Sequence, residues 1–149
     1  MSIRSALLSD GPAIEQLLDQ LGYTGTDRFL PQKLRQMLAD SDERLLVYET
    51  TAAVVAFISV HFIPQIAVAG DFARISYFSV ADSVRGQGIG REMEEYAVML
   101  AKERGCDRIE VHCHSRRVDA HRFYSRQGYE ESPKYLMKRL AALPDGDQG

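Results

Sequence analysis

The stretch that decides the fold spans residues 80–91 and reads Val80-Ala81-Asp82-Ser83-Val84-Arg85-Gly86-Gln87-Gly88-Ile89-Gly90-Arg91. It follows a run rich in β-forming residues, 75–80, and precedes apolar residues at helical spacing, so it predicts a tight turn from a strand into a helix. Its three glycines leave backbone N–H groups unobstructed at the positive end of that helix. This arrangement favours an anion site, most naturally for phosphate; the alternative is a turn that only lets strand and helix pack closely.

Two common phosphate-binding turns do not match this stretch. A P-loop requires Lys and then Ser or Thr after its last glycine, whereas Gly90 is followed by Arg91 and Glu92. A dinucleotide fingerprint has the spacing G-x-G-x-x-G at the first strand of its domain, whereas the spacing here is G-x-G-x-G and occurs late in the chain. The sequence therefore excludes a P-loop and gives little support to a dinucleotide-binding turn.

The composition predicts one globular domain, residues 1–142, followed by a disordered tail, 143–149. The chain has 149 residues, 45% of them hydrophobic, which is enough to bury a core without disulfides or metals. Its 18 positive and 21 negative charges give a net charge of −3, which disfavours a general nucleic-acid or anionic-membrane partner. Only the tail, with its Pro, Gly and Asp residues, resembles a linker.

The same features predict a cytoplasmic protein. The longest apolar run, residues 52–60, is about half of the roughly 20 residues that a membrane helix requires. The first ten residues lack the long apolar stretch of a secretory signal. Cys106 and Cys113 have neither the number nor the spacing of a disulfide framework or a zinc site, so we expect no metal and a reducing compartment.

Working outward from the glycine turn, the periodicity predicts a mixed sheet with helices on its faces. Asp10 and Pro12 are typical of a helix start, and Gly22 of a helix end. The predicted elements, in chain order, are a strand at 2–7, helices at 10–21 and 31–38, a hairpin of 44–49 with 53–62, a strand at 72–80, a helix at 89–104, a strand at 108–113, a helix at 118–126, and one or two strands at 129 and 135–140.

The pattern Arg85-x-x-Gly88-x-Gly90 resembles the acetyl-CoA signature of the GNAT family of N-acetyltransferases. A second block lies about thirty residues further on and follows in the family's order: Ala120-His121-Arg122-Phe123-Tyr124-Ser125-Arg126-Gln127-Gly128-Tyr129. This block also resembles the aminoalkylphosphonate acetyltransferases locally. Together the motifs cover residues 72–130 and imply the family's α/β fold, a mostly antiparallel sheet with one splayed pair of strands and helices on both faces.

The resemblance implies a site for acetyl-CoA. Its diphosphate would bind the backbone amides of a single run of residues, namely Arg85, Gly86, Gln87, Gly88, Ile89, Gly90 and Arg91. The amides of Phe78 and Val80 would face the acetyl carbonyl and the pantetheine, with Phe78 N–H as an oxyanion donor. Tyr124 would protonate the leaving thiolate, since a tyrosine side chain ordinarily stays protonated at neutral pH. Packing as a core aromatic is the alternative for Tyr124.

The general base stays open at this point. Arg74, Ser76 and Tyr77 occupy the strand where several relatives carry a glutamate, so no carboxylate can be carried over from the family. The candidates by chemistry are His61, His112, His114 and Glu110, or a water chain. Histidine suits the role because its side chain ordinarily titrates near pH 6.5. Arg117 stands where many relatives have Asn, and it is a candidate for a CoA phosphate or an acidic acceptor.

These inferences predict an acetyl-CoA-dependent N-acetyltransferase that acts on a primary amine. The amine attacks the thioester directly, and no covalent enzyme intermediate is needed. A small molecule is the favoured acceptor, and a peptide amine is also possible. The alternative is a non-catalytic acyl-CoA sensor. The predicted strand at 135–140 would leave an unpaired edge, which favours a homodimer.

Overall fold

The computed structural model of the protein describes residues 2–51, 53–112, 118–132 and 136–141. Its strands are β1 (Ser2–Ser5), β2 (Glu43–Glu49), β3 (Val54–Ile63), β4 (Phe72–Val80) and β5 (Arg108–Val111). Its α-helices are α1 (Gly11–Gln20), α2 (Leu30–Leu38), α3 (Ile89–Glu103) and α4 (Val118–Arg126). Both sets agree closely with the predicted order of elements.

The five strands form one sheet in the order β1-β2-β3-β4-β5. The first three pairings are antiparallel, and β4 pairs with β5 in parallel. The parallel pairing is possible because α3 returns the chain to the level of Phe72, so that β5 begins beside the first residue of β4. The parallel pairing joins only residues 72–75 of β4 to residues 108–111 of β5. In the described part of the chain, β4 beyond Ile75 therefore has no strand beside it on that edge, and the predicted mixed sheet with a splayed pair is confirmed.

Each face of the sheet carries its own apolar cluster. On one face, α3 packs Ile89, Met93 and Ala97 onto the alternate sheet residues Ile58 and Ile75. On the other face, α1 and α2 cover the sheet, with Leu17 and Leu34 among the buried side chains. The chain thus forms three layers, with the sheet between helices. This agrees with the strands, whose successive side chains point to opposite faces.

A bulge in β4 changes which side chains face each cluster. Ser59 pairs with Tyr77 and the next residue, Val60, pairs with Ile75, so Ser76 is the extra residue. Before the bulge Ile75 faces α3, and after it Phe78 takes that side. The bulge therefore turns the side chain of Ser76 toward the helices α1 and α2, at the point where β4 loses its contact with β5.

Asp10 anchors the start of α1 to β1 and β2. It is the N-cap residue, as predicted, but its carboxylate accepts hydrogen bonds from Leu7 N–H at 2.7 Å and from the Arg4 guanidinium at 2.8 and 3.0 Å rather than from the helix amides. Arg4 also bonds Glu49 at 3.0 Å. The hydrogen bonds from Arg4 hold the pKa of Asp10 below its usual range, although burial opposes the shift.

Replacing Asp10 with asparagine should lower the free energy of unfolding at pH 7 by about 2 kcal/mol, because Arg4 loses its buried charged partner. Since the folded-state pKa lies below the unfolded value, the stabilisation is present above about pH 4 and is lost as the pH falls through the folded pKa. Urea unfolding at pH 7 and pH 3 measures this difference. Asp19→Asn, at an exposed position of α1, is the control and should leave stability within about 0.5 kcal/mol.

The predicted C-terminal strands are wrong where the structure describes them. Residues 129–132 and 136–141 form no strand, and Leu136 and Leu140 are 92% and 93% exposed. Their side chains bury no apolar surface against the sheet, so the local β-propensity has nothing to stabilise it. Tyr135, Cys113 and the predicted tail, 143–149, lie outside the described residues.

Candidate functional site

A cleft of about 1400 Å³ opens between the end of β4, the start of α3 and the helix α4. Most of the residues that the GNAT resemblance singles out line it. The lining includes Phe78, Val80, Arg85, Gly86, Gly88, Ile89, Gly90, Arg91, Phe123 and Tyr124. Residues from three separate elements thus meet in one space of the size that a large cosubstrate requires.

The glycine turn has the backbone geometry of an anion site. Gly86 and Gly88 have φ angles of +83° and +82°, a left-handed conformation that residues with a Cβ adopt only under strain. A Cβ added at either glycine would meet no atom of the described residues within 4 Å, so space lies open beside both. Gly88 is the N-cap of α3, and as a glycine it has no side chain with which to cap that end of the helix. The first amides of α3 are therefore left to bind an anion, and a diphosphate fits this turn.

Gly90 has a different role from the other two glycines. A Cβ at this position would lie 3.3 Å from the ring of Phe123 and 3.7 Å from Val80. Phe123 also packs edge-on against Phe78, with ring centroids 5.8 Å apart. The absence of a side chain at Gly90 therefore lets α4 close over the junction between β4 and α3.

The amides of Phe78 and Val80 point into the opening between β4 and β5. Ala81 N–H donates to Val55 O on β3 at 2.8 Å, so that amide faces β3. Successive amides along a strand alternate in direction, and the N–H groups of Val80 and Phe78 therefore face the opposite edge. Among the described residues, β5 does not pair with that edge of β4 beyond Ile75. The arrangement leaves two donors for an extended ligand that runs beside β4.

Tyr124 lies in an aromatic row on α4 and the turn after it. Its ring packs edge-on against Phe123 at 5.2 Å and against Tyr129 at 5.3 Å. Tyr129 O–H donates to Glu94 on α3 at 2.9 Å. Burial raises the pKa of Glu94, which is 3% exposed, and burial and the Glu94 charge raise the pKa of Tyr129. This hydrogen bond ties the segment after α4 to α3 and fixes the position of Tyr124.

The two arginines of the turn are exposed, and each has an acidic neighbour in sequence. Arg85 lies 3.0 Å from Asp82, and Arg91 lies 3.0 Å from Glu95. Exposed pairs of this kind are weak, so both guanidinium groups can exchange their partners for a phosphate.

The described candidate bases lie in two places, with Glu110 and His112 together at the end of β5 and His61 on β3. Glu110 is held by Arg74 at 2.8 Å and lies 3.4 Å from Arg108. His112 follows β5, 3.8 Å from Glu110. His61 lies on β3, between Glu43 and Ser76. His114 and Arg117 lie outside the described residues, so their roles stay predictions.

Three residues of this region were not identified from the sequence as part of the site. Phe123 stood in the quoted block, but only the packing shows that it bridges Gly90 and Phe78. Glu94 falls on the apolar face of α3, and a charged residue on that face is the signal that could have found it. Ser76 gains its orientation from the bulge, which has no signature in the sequence.

Within the described ranges, no group of three His, Cys, Asp or Glu side chains could hold a metal ion, and the expectation of a metal-free site stays a prediction. None of the described helices is both long and apolar enough to cross a membrane.

Comparison with known proteins decides the family. The model of the acetyltransferase (GNAT) family matches residues 12–129, which is most of the chain. The protein belongs to this family. The match includes the glycine turn, the cleft residues and the Tyr124 block, so the family resemblance of the sequence motifs is confirmed.

Individual relatives of this GNAT chain agree with that assignment. An aminoalkylphosphonate N-acetyltransferase of Salmonella typhimurium is 35% identical over 87 residues, which are 58% of this chain and 56% of the relative. The matched stretch therefore spans little more than half of that protein. A crystal structure of a transcriptional regulator from Bacillus halodurans has a TM-score of 0.85 at 25% identity, covering 93% of this chain and 99% of that one.

A glucosamine-6-phosphate N-acetyltransferase from Arabidopsis thaliana shares the fold of this GNAT chain. Its TM-score is 0.81 at 23% identity, and the alignment covers 94% of this chain and 98% of that one. The likeness extends over nearly the whole of both chains.

Proposed function

We propose that the protein is an N-acetyltransferase that moves the acetyl group of acetyl-CoA to the primary amine of a small molecule. One observation carries this proposal: the uncapped start of α3, the outward amides of β4 and Tyr124 meet in a single cleft. Membership of the GNAT family supports it independently.

In this proposal, backbone groups hold the cosubstrate. The amides of residues 85–91 bind its diphosphate, and Arg85 and Arg91 add positive charge at the mouth of the cleft. Val80 N–H binds the pantetheine arm beside β4. Backbone donors need no side-chain ordering when the ligand binds, which is why glycines suit this turn.

The bound cosubstrate supplies an activated thioester, and the chain supplies groups that stabilise its reaction with an amine. Phe78 N–H donates to the carbonyl oxygen as negative charge develops there, an effect typically worth about 3 kcal/mol of the barrier. Tyr124 O–H donates its proton to the departing thiolate. The amine attacks directly, so no residue of the chain needs to carry the acetyl group.

A small aminoalkyl acceptor, such as an aminoalkylphosphonate, is the lead for the substrate. The Salmonella relative with that activity supports the proposal over the stretch that it shares with this chain. We place the acceptor on the face of the sheet that carries α1 and α2, where the ring of Tyr23 packs edge-on against Tyr77 at 5.5 Å. Tyr77 follows Ser76 on β4, and the hydrogen-bonded side chains of Ser59, His61 and Ser76 give this face a polar character that suits a small polar amine.

We also propose that the enzyme works in the cytoplasm as a homodimer. Cys106 is a free thiol, which a reducing compartment preserves. The described sheet leaves β1 at an edge, and such an edge can pair with a second subunit.

A panel of amines tests the proposed function. Thiol release from acetyl-CoA should depend on at least one acceptor among 2-aminoethylphosphonate, an alkylamine without phosphonate, an amino sugar and a short peptide. We expect the aminophosphonate to give the highest kcat/KM. Calorimetric binding of acetyl-CoA without turnover on the whole panel would favour the sensor, and absence of binding at millimolar concentration would refute both.

A further inference from the structure

A chain of three polar side chains crosses the α1 and α2 face of the sheet at the bulge of β4. The carboxylate oxygen Oε1 of Glu43 lies 2.6 Å from His61 Nδ1. The other ring nitrogen, His61 Nε2, lies 2.6 Å from Ser76 Oγ. Three neighbouring strands thus present a carboxylate, an imidazole and a hydroxyl in hydrogen-bonding sequence.

The hydrogen bonds fix the direction of this chain. The carboxylate of Glu43 can only accept, so His61 carries a hydrogen on Nδ1 and donates it to Glu43. His61 Nε2 is then an acceptor and takes the hydrogen of Ser76. Ser76 Oγ can also donate to the buried hydroxyl of Ser59, at 3.2 Å, and Ser59 Oγ lies 3.4 Å from His61 Nε2. Ser76 has one hydroxyl hydrogen, and its shorter contact, 2.6 Å to His61 Nε2, favours the Ser76 to His61 bond.

The outer end of the chain is accessible and close to the reaction site. Ser76 is exposed, and its oxygen retains lone pairs that can accept a hydrogen bond from a ligand. It precedes Phe78 by two residues on β4, and two residues span at most about 7 Å. An amine that approaches the thioester from the α1 and α2 face therefore passes Ser76.

We propose that Ser76, His61 and Glu43 form the proton relay that deprotonates the acceptor amine, an inference that rests on the proposed function. The ammonium N–H bond breaks and its proton passes to Ser76 Oγ, while the Ser76 hydrogen passes to His61 Nε2. The imidazolium that results is stabilised by the Glu43 carboxylate, and the neutral amine keeps its electron pair for attack on the thioester. Ser76 touches the substrate; His61 and Glu43 act through it.

The charged groups near His61 are paired with one another, and this makes His61 the described base that is placed to accept the proton of Ser76. On β4 and β5, Arg74 and Glu110 pair with each other at 2.8 Å. Glu110 is thus occupied by an arginine, and the carboxylate in contact with His61 is Glu43 on β2. His112 lies near the Glu110 pair, beyond the last residue of β5.

His61→Gln should lower kcat/KM for 2-aminoethylphosphonate about 100-fold at pH 7, the lower end of the range for general base catalysis. The deficit should shrink as the pH rises toward 10, because the free amine then forms without help from the enzyme. Ser76→Ala should show the same trend with a smaller loss. The matched control is His112→Gln, which removes the histidine just beyond the end of β5 and should retain wild-type kcat/KM and pH profile.

Two readouts besides activity accompany these rates. Nitrogen-15 chemical shifts of the His61 ring should report hydrogen on Nδ1 in the free protein, and Glu43→Gln should change that signal. Acetyl-CoA affinity, measured by calorimetry, should be unchanged in all four variants.

The outcomes separate this inference from the proposed function. If the wild type turns over and His61→Gln has the same rate and pH profile as the wild type, the relay is overturned and the proposed function stands. A loss confined to His112→Gln, or an acetyl group found on Ser76 by mass spectrometry, would also overturn it. Absence of any wild-type turnover together with absence of acetyl-CoA binding would instead refute the proposed function and, with it, the relay.

Discussion

Replacing Tyr124 with phenylalanine is expected to lower kcat about 1,000-fold, a size typical of the loss of a positioned general acid. The substitution removes one hydroxyl and leaves the ring, whose edge-on contacts with Phe123 and Tyr129 hold α4 in place. The thiolate then leaves without a proton donor. Steady-state kinetics at pH 7 with saturating amine measures the effect, and KM for acetyl-CoA should change by less than about threefold.

The control for this substitution is Tyr96→Phe. Tyr96 is a half-buried tyrosine of α3 that packs against the same cluster as Tyr124, and removal of its hydroxyl should leave kcat within about twofold. If Tyr124→Phe retained full kcat, Tyr124 would be a packing residue of α4, and its proposed role as the acid that protonates the thiolate would be refuted. If both variants lost kcat equally, the loss would reflect packing of the cluster and not proton transfer.

Replacing Gly88 with glutamate should weaken acetyl-CoA binding by roughly 700-fold. A carboxylate at the N-cap of α3 lies where the diphosphate is expected to bind, and two like charges about 4 Å apart repel by about 4 kcal/mol near a protein surface. Each 1.4 kcal/mol corresponds to a factor of ten in Kd. Calorimetry with CoA and acetyl-CoA measures the change.

Gly105→Glu is the matched control for Gly88→Glu. Gly105 follows the other end of α3, its φ of +79° is close to the +82° of Gly88, and neither position has an atom within 4 Å of an added Cβ. Both substitutions therefore impose the same backbone strain, of the order of 1 kcal/mol, and the same change in charge. Tight binding by Gly88→Glu would refute the diphosphate site, and equal weakening in both variants would attribute the loss to instability of α3.

The sequence predicted the elements whose signals are local. The glycines of the turn, the helical spacing from Ile89 onward and the β-rich run before Val80 all lie within one window of the chain, and their geometry follows from short-range sterics. The same reasoning was wrong for residues 136–140, because β-propensity predicts a strand only where a sheet edge and a core face are present to receive it.

Some residues of the candidate site could be named from local motifs, and others could be found only in the tertiary structure. Phe78, Val80, the turn residues and Tyr124 were named from motifs, and the structure places all of them except Gln87 in the lining of one cleft. The base could not be chosen from the sequence, since His61, His112, His114 and Glu110 could each accept a proton and no motif favours one of them. What separates them is which side chains lie beside each one, and that depends on strand register.

The amino-acid sequence by itself determined the strand, turn and helix that build the anion site, because backbone conformation at glycines and helix ends is set by near neighbours. Only the tertiary structure decided that Glu43, His61 and Ser76 form one hydrogen-bonded chain, that the amides of Phe78 and Val80 face an open edge, and that Phe123 rests on Gly90. These contacts join residues far apart in the chain. They depend on long-range pairing and on a one-residue bulge, which no local pattern specifies.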